Sequence, residues 1–298
     1  MLTTENKQIT VNGTNYYLVW NDEFDESELN REVWKNFGTP SDDEAVIIDE
    51  DGNRQAFPGK RHQVKCDGVY TKDSCAIIDA IHQINADGEH SFINRQISTS
   101  GTMGYKYGYL EICAKLPGHP NAVAFWLGSE ISDITNAFTE LDIIETICAS
   151  DDNDCIALTN IHSWDQEPSQ KNSLDNYPDE KNKATKYCKT LSKEFHIYGC
   201  EWNENVMNFY LDGDCYYSFD INNSVLSKKP NGEDNTDTFR QPMRDLRLSS
   251  TMGLGFYGPI WSVGDPEKAE LFIDYVRLYQ RPEDNGELYI NGKIVNPF

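Results

Sequence analysis

The chain is written in short segments that alternate apolar and polar residues, and this period of two limits its fold more than any other feature. In "YGYLEICAKLP", Leu110, Ile112, Ala114 and Leu116 fall on one side and Tyr109, Glu111, Cys113 and Lys115 on the other. That is the pattern of a half-buried strand. "AVAFWLG", "CIALTNIHSW", "FHIYGCEWN", "NVMNFYLDGDCYYSF", "DLRLSSTMGLG" and "LFIDYVRLYQ" read the same way. The Asp212-Gly213 step between two aromatic-rich segments predicts a tight hairpin. No helical pattern is both long and well capped. The expectation is an all-β fold, an antiparallel sandwich or jelly roll rather than a βαβ arrangement. With 298 residues, one domain over 1–298 is the simplest organisation, with a core over about 17–280 and an appendage over 281–298. The polar stretches 165–190 and 222–243 are expected to be long surface loops between strands.

Charge narrows the partners. Lys and Arg number 26 against 49 Asp and Glu, a formal net charge of −23. Such a surface repels polyanions, which argues against nucleic acid or an anionic membrane and in favour of a neutral ligand. No apolar run reaches the 18 residues or so that a membrane-spanning helix needs. The opening "MLTTENKQIT" lacks the basic flank and apolar stretch of a secretory signal, so the chain is either cytoplasmic or the mature part of a longer product. Its eight cysteines include no C-x-x-C pair, which argues against a zinc site. Several sit in strand-like patterns as candidate buried thiols. Cys66 with Cys75, or Cys148 with Cys155, are close enough in sequence for a bridge across a short loop.

Against this background, "FTELDIIETI" is anomalous. It places Glu140, Asp142 and Glu145 inside an apolar run, where unpaired carboxylates are costly to bury. Strict alternation puts Glu140 and Asp142 on one face and Glu145 on the other. A β-bulge between Asp142 and Glu145, using the extra residue supplied by Ile143-Ile144, returns Glu145 to the face of the other two. Two carboxyls about 5–5.5 Å apart are what retaining hydrolysis of a glycosidic bond requires: one attacks the anomeric carbon, the other protonates the departing oxygen. The middle acid then shares a proton with a neighbour and acts on Glu145 by like-charge repulsion.

The segment "ELDIIE" resembles the bulged E-x-D-x-x-E signature of the laminarinase-like members of glycoside hydrolase family 16. Other segments are similar to that family in the same order: "LVWNDEFDESELNREVW", "YGYLEICAKLPGHPNAVAFWLG", "FHIYGCEWNENVMNFYLDG" and "FIDYVRLYQ", together spanning roughly Leu18 to Gln280. The resemblance implies a concanavalin A-like β-jelly-roll sandwich with a concave substrate cleft. By position it implies Glu140 as nucleophile, Asp142 as assisting acid and Glu145 as general acid/base. It implies no cofactor for catalysis, and it allows a structural calcium held through Asp274. Trp126 matches a tryptophan that lines the cleft, although alternation alone also suits a core position. His162 and Trp164 share a strand face and read as cleft lining or core. Tyr257 and Trp261, in a Gly- and Pro-rich stretch, suit a sugar face, and Glu111 is a further candidate contact to sugar hydroxyls.

The resemblance therefore implies a monomeric, retaining endo-β-glycosidase acting on a polysaccharide or oligosaccharide, with no membrane insertion. Its expected location is secreted or cell-surface rather than cytoplasmic. An endo-β-1,3-glucan or a mixed β-1,3/1,4-glucan is the first choice of substrate. A galactose-containing chain (agar-type, β-1,3-galactan or mucin O-glycan) is the second. "GHPNAVAFW" and "MGLGFYGPIWSVGDP" depart from the family pattern and bear on substrate rather than on reaction type. A non-catalytic lectin-like module of the same shape is the rival reading, and the intact pair of Glu140 and Glu145 argues against it.

Overall fold

A computed structural model describes residues 7–36, 42–48, 54–64, 68–84, 86, 90–117, 122–129, 138–147, 155–164, 172–229, 231–240, 243, 248–255 and 268–298. The alternating segments form strands, and the strands form two facing antiparallel layers. In the first layer Thr14–Asp22, Lys268–Gln280, Gly108–Lys115, His196–Trp202, Val206–Leu211 and Asp214–Asp220 lie side by side. The second runs Asn160–Trp164, Phe138–Ile147, Ala122–Ser129, Leu248–Gly255 and His90–Ser98. His90–Ser98 also pairs with Cys75–Ile84, which in turn pairs with Lys268–Gln280, so these strands tie the layers together at one side. Among the described residues one pairing departs from the antiparallel pattern: Arg54–Val64 runs parallel to His90–Ser98.

The period of two decides what lies between the layers. Leu110, Ile112 and Ala114 of the first layer meet Val123, Phe125, Leu127, Leu141, Ile144 and Ile161 of the second in one buried cluster. Apart from Ile143, beside Ile144, their sequence neighbours stay outside that cluster. Trp202 is buried against the rings of Tyr105 and Tyr107, with centroids 5.8 and 5.1 Å away. His196 is buried as well and joins Asp212 at 2.7 Å and Thr190 at 2.9 Å. The expected hairpin is present, with Asp212 at φ 53° and Gly213 at φ 84°, the two positive angles a type I′ turn needs.

The motif residues near the chain ends have structural work. Arg277 grips Glu23 through two contacts of 2.9 and 2.6 Å, joining the opening segment to the closing strand. Asp22 accepts the Trp34 indole N–H at 2.8 Å and the Phe24 amide at 3.0 Å. Gly108 has φ 135°, and a Cβ there would lie 2.5 Å from the Tyr279 carbonyl oxygen, so no other residue fits without shifting a strand.

Four expectations need correction. The stretch 165–190 is not simply a surface loop. From Asn172 onward it carries a two-residue strand, a 3₁₀ turn Leu174–Asn176, a helix Pro178–Lys183 and a strand Thr185–Cys188. Leu174 and Ala184 anchor it in the core. The stretch 222–243 likewise buries Leu226, Phe239 and Met243. A polar composition concealed these few anchors. The segment after Gln280 is also more than an appendage, because Glu287–Ile290 pairs with Met103–Lys106 and extends the second layer. Cys75, Cys113, Cys188, Cys200 and Cys215 are free thiols, so Cys75 makes no bridge to Cys66. Cys66 and Cys148, and the side chain of Cys155, lie outside the described residues.

Phe125 is 1 % exposed between the layers. Phe125→Ala is expected to lower unfolding stability by about 3–5 kcal/mol, measured as a fall in the urea midpoint.

Candidate active site

The strand Phe138–Ile147 lies between Ala122–Ser129 and Asn160–Trp164. Its pairing with Ala122–Ser129 slips by one residue: Phe125 faces Ile144 and Trp126 faces Asp142, leaving Ile143 as the extra residue. This is the bulge expected from the spacing. Ile143 and Ile144 both turn into the core, at 2 % and 1 % exposure. Glu145 emerges on the face of Glu140 and Asp142, where it is a charged neighbour of Asp142. The Thr159 hydroxyl donates to the Asp142 carbonyl and supports the chain at the irregularity.

The three acids are not equivalent. Glu140 and Glu145 are half-buried, whereas Asp142 is buried. Burial first, and then the charge of Glu145, push Asp142 well above the usual carboxylate range, and the ammonium of Lys181 and a hydrogen bond with Glu140 only partly oppose this. The like-charge repulsion expected from the spacing is thus present, second to burial, among the causes of the rise.

His162 is opposite Glu140 in the ladder, with Nε2 3.1 Å from Asp142 Oδ2. It is 4 % exposed, so its place is against the assisting acid rather than on an open sugar surface. Trp126 is half-buried beside Asp142, on the face of the acids. Trp164 continues the strand of His162, opposite Phe138, and its side chain is outside the described set. Tyr257 and Trp261 also lie outside the described residues.

Glu111 corrects the expectation made for it. It belongs to the first layer and points away from the core, on the opposite side of the sandwich from Glu140. Tyr279 donates to it at 3.2 Å. Burial raises its pKa, and hydrogen bonds from the surrounding tyrosines and the charge of Arg277 counter part of that rise. Alternation correctly assigned it a face but could not say which layer the strand would join.

Asp274 sits on the same far layer, at a register slip between Cys113 and Ala114. The groups acting on the neighbouring thiols of Cys75 and Cys113 include its carboxylate. Calcium takes a cage of hard oxygen donors, and a carboxylate set beside two thiols does not fit one. Among the described residues, Glu140, Asp142 and His162 form a donor group whose atoms lie within 4.8 Å of one another.

Sequence reasoning missed Asn160, Asp175 and Lys181. The Asn160 side chain donates to Glu145 Oε2 at 2.8 Å and to Asp175 at 3.0 Å, and Lys181 lies 3.3 Å from Glu145. The last two come from the polar stretch, where nothing in the spacing connects them to Glu145.

Three carboxyls on one face, beside an aromatic ring on the outer face of a β-sandwich, are an arrangement that suits glycoside hydrolysis. The chain belongs to glycoside hydrolase family 16: residues 19–281 match the family described as beta-porphyranase A-D, GH16 domain. It is 26% identical over 271 residues to a beta-glucanase of Rhodothermus marinus, covering 88% of this chain and 85% of that protein. Among solved structures, the endo-beta-1,3-glucanase of Pyrococcus furiosus superposes with a TM-score of 0.61 at 18% identity, over 92% of this chain and 97% of that one. A structure solved in work on endo-acting O-glycanases, which members of the human gut microbiota express to initiate mucin breakdown, gives 0.61 at 20% identity, over 92% and 94%. At such identities the structural likeness shows the fold.

Two expectations follow from the bulge and the buried acid. Deleting Ile143 removes the extra residue and leaves Glu140, Asp142 and Glu145 at alternate positions of a regular strand, so the three acids stay on one face and kcat/KM on polysaccharide should remain within about 10²-fold of the native value. Asp142→Asn tests the buried proton. A carboxyl that stays protonated in the folded chain but ionises in the unfolded one weakens the fold increasingly as pH rises above its ordinary value of 3.8. The variant should therefore be more stable than the native chain at neutral pH, and the gap should close towards about pH 4 in urea titrations.

Proposed function

We propose that this protein is a retaining endo-β-glycosidase that hydrolyses internal linkages of a polysaccharide. The observation that carries the reading is the slip at Ile143, which sets Glu140, Asp142 and Glu145 on one face beside Trp126. The Glu140 carboxylate, hydrogen-bonded with Asp142, attacks the anomeric carbon. The bond from that carbon to the leaving oxygen breaks as Glu145 gives the oxygen its proton. Glu145 then takes a proton from water, the water oxygen attacks the glycosyl-Glu140 ester, and sugar is released with its original configuration.

The substrate we infer is an endo-β-1,3-glucan or a mixed β-1,3/1,4-glucan, in keeping with the β-glucanase relatives. A galactose-containing chain is the second reading, because the matching family is described as beta-porphyranase. An unmodified glucan suits the net charge of −23, which disfavours a heavily sulfated polymer. The described residues contain no helix long and apolar enough to cross a membrane. A polymer of this size is met outside the cell, so the protein is assigned a secreted or cell-surface role, and it is assigned as a monomer.

Glu145→Gln should reduce turnover of laminarin, lichenan or whichever of agarose, carrageenan, galactan and mucin the native enzyme cleaves, by about 10²–10⁴-fold, with binding retained. NMR of the first-formed product should show the retained anomer. Near-native turnover by the variant would remove Glu145 from its role, and an inverted product would remove Glu140 from its own.

A further inference from the structure

Glu145 is held in a closed ring of polar contacts. Its Oε2 takes both the Asn160 amide at 2.8 Å and the Lys181 ammonium at 3.3 Å. The same two donors also reach Asp175: Asn160 at 3.0 Å on Oδ2, Lys181 at 2.8 Å on Oδ1. The Ser173 hydroxyl adds a contact to Asp175 Oδ2 at 3.3 Å. Lys181 projects from the helix Pro178–Lys183 and Asp175 from the turn Leu174–Asn176. The buried Leu174 and Ala184 pin that segment to the core at both ends. The Lys181 side chain is only 20 % exposed, less than half the exposure of either acid it contacts.

We propose that the Asp175–Lys181 pair positions Glu145 and sets the alkaline limit of the pH–rate profile, with Oε1 as the oxygen that carries the catalytic proton. An oxygen accepting two N–H donors has no free lone pair on which to hold a proton as well, which leaves Oε1 to face the glycosidic oxygen. An ammonium beside a carboxyl favours its ionised form, and a second carboxylate on that ammonium offsets the effect. The enzyme needs Glu145 as an acid in the first step and as a base in the second. This inference rests on the reading of Glu145 as acid/base.

The charged and titratable groups around Glu145, among the described side chains, are few. Asp142 comes from its own strand and Glu140 lies beyond it, Asp175 and Lys181 come from the segment packed above, and His162 of the neighbouring strand faces Asp142 and Asp175. Ala124, across the ladder from Glu145, brings no charge. Burial would raise Asp175, but hydrogen bonds from Lys181 and Asn160 hold it below the usual range, so it stands as the fixed counter-charge.

The test is the pH dependence of kcat/KM on the best-cleaved polymer for Lys181→Met, Asp175→Asn and the double variant. Lys181→Met leaves Glu145 beside Asp175 alone, and the alkaline limb should move up by about one pH unit. Asp175→Asn leaves the ammonium wholly to Glu145, and the limb should move down by a similar amount. The double variant should return towards the native profile. A merely structural segment would lower activity without moving the limbs in opposite directions. Lys181→Gln, which keeps a polar chain on the partly exposed helix, replaces Lys181→Met if the latter's urea midpoint falls. Profiles superimposable on the native one, or moving in the same direction, overturn the proposal. If Glu145→Gln is inactive while these profiles coincide, only this proposal fails. If Glu145→Gln is fully active, the acid/base reading fails first.

Discussion

The one-residue slip at Ile143 is the constraint on which the site depends. A strand between two ladders has no freedom to turn a side chain to its other face, since the period of two is fixed by the backbone. An inserted residue is the means by which the phase can change, and Ile143 and Ile144 absorb it by both entering the core. The hydrophobic interior thus holds the irregularity in place. Without that anchoring, a bulge between two neighbouring strands would be free to slide, and with it the acid/base.

The burial of Asp142 is the second constraint. Three carboxylates on one face repel each other, and burial first, then the charge of Glu145, push the middle one well above the usual carboxylate range. The cost falls on stability at neutral pH. A contrast on the far layer supports this account. Glu111 is similarly buried, but tyrosine hydroxyls and Arg277 surround it, so it behaves as a satisfied structural acid. Burial alone therefore does not mark a catalytic carboxyl. The company of other carboxyls does.

Much of the fold and half of the site were legible in the residues. Alternation gave the strands, the Asp212-Gly213 step gave a hairpin, and the E-x-D-x-x-E spacing gave the bulge before any coordinates. Trp126 shares a ladder position with Asp142, which alternation alone left open between the core and the face of the acids. His162 was found but its role was not, since a cleft wall and a partner of an acid look alike in a strand pattern. Asp175 and Lys181 were invisible: they sit in a polar stretch whose spacing to Glu145 is unconstrained by any periodicity. Only the burial of Leu174 and Ala184 brings them to Glu145.

By itself, then, the sequence determined which residues alternate, where the phase of alternation breaks, and that three acids share a face. Those are local properties, written in spacings of two to five residues. The tertiary structure decided which layer each strand joins, and so sent Glu111 to the far side of the molecule and His162 to the catalytic acids. It also brought a lysine 36 positions further along the chain to Glu145. The physical reason is that side-chain direction follows from the backbone period, whereas the neighbours of a strand and the docking of a polar segment follow from buried contacts between residues far apart in sequence.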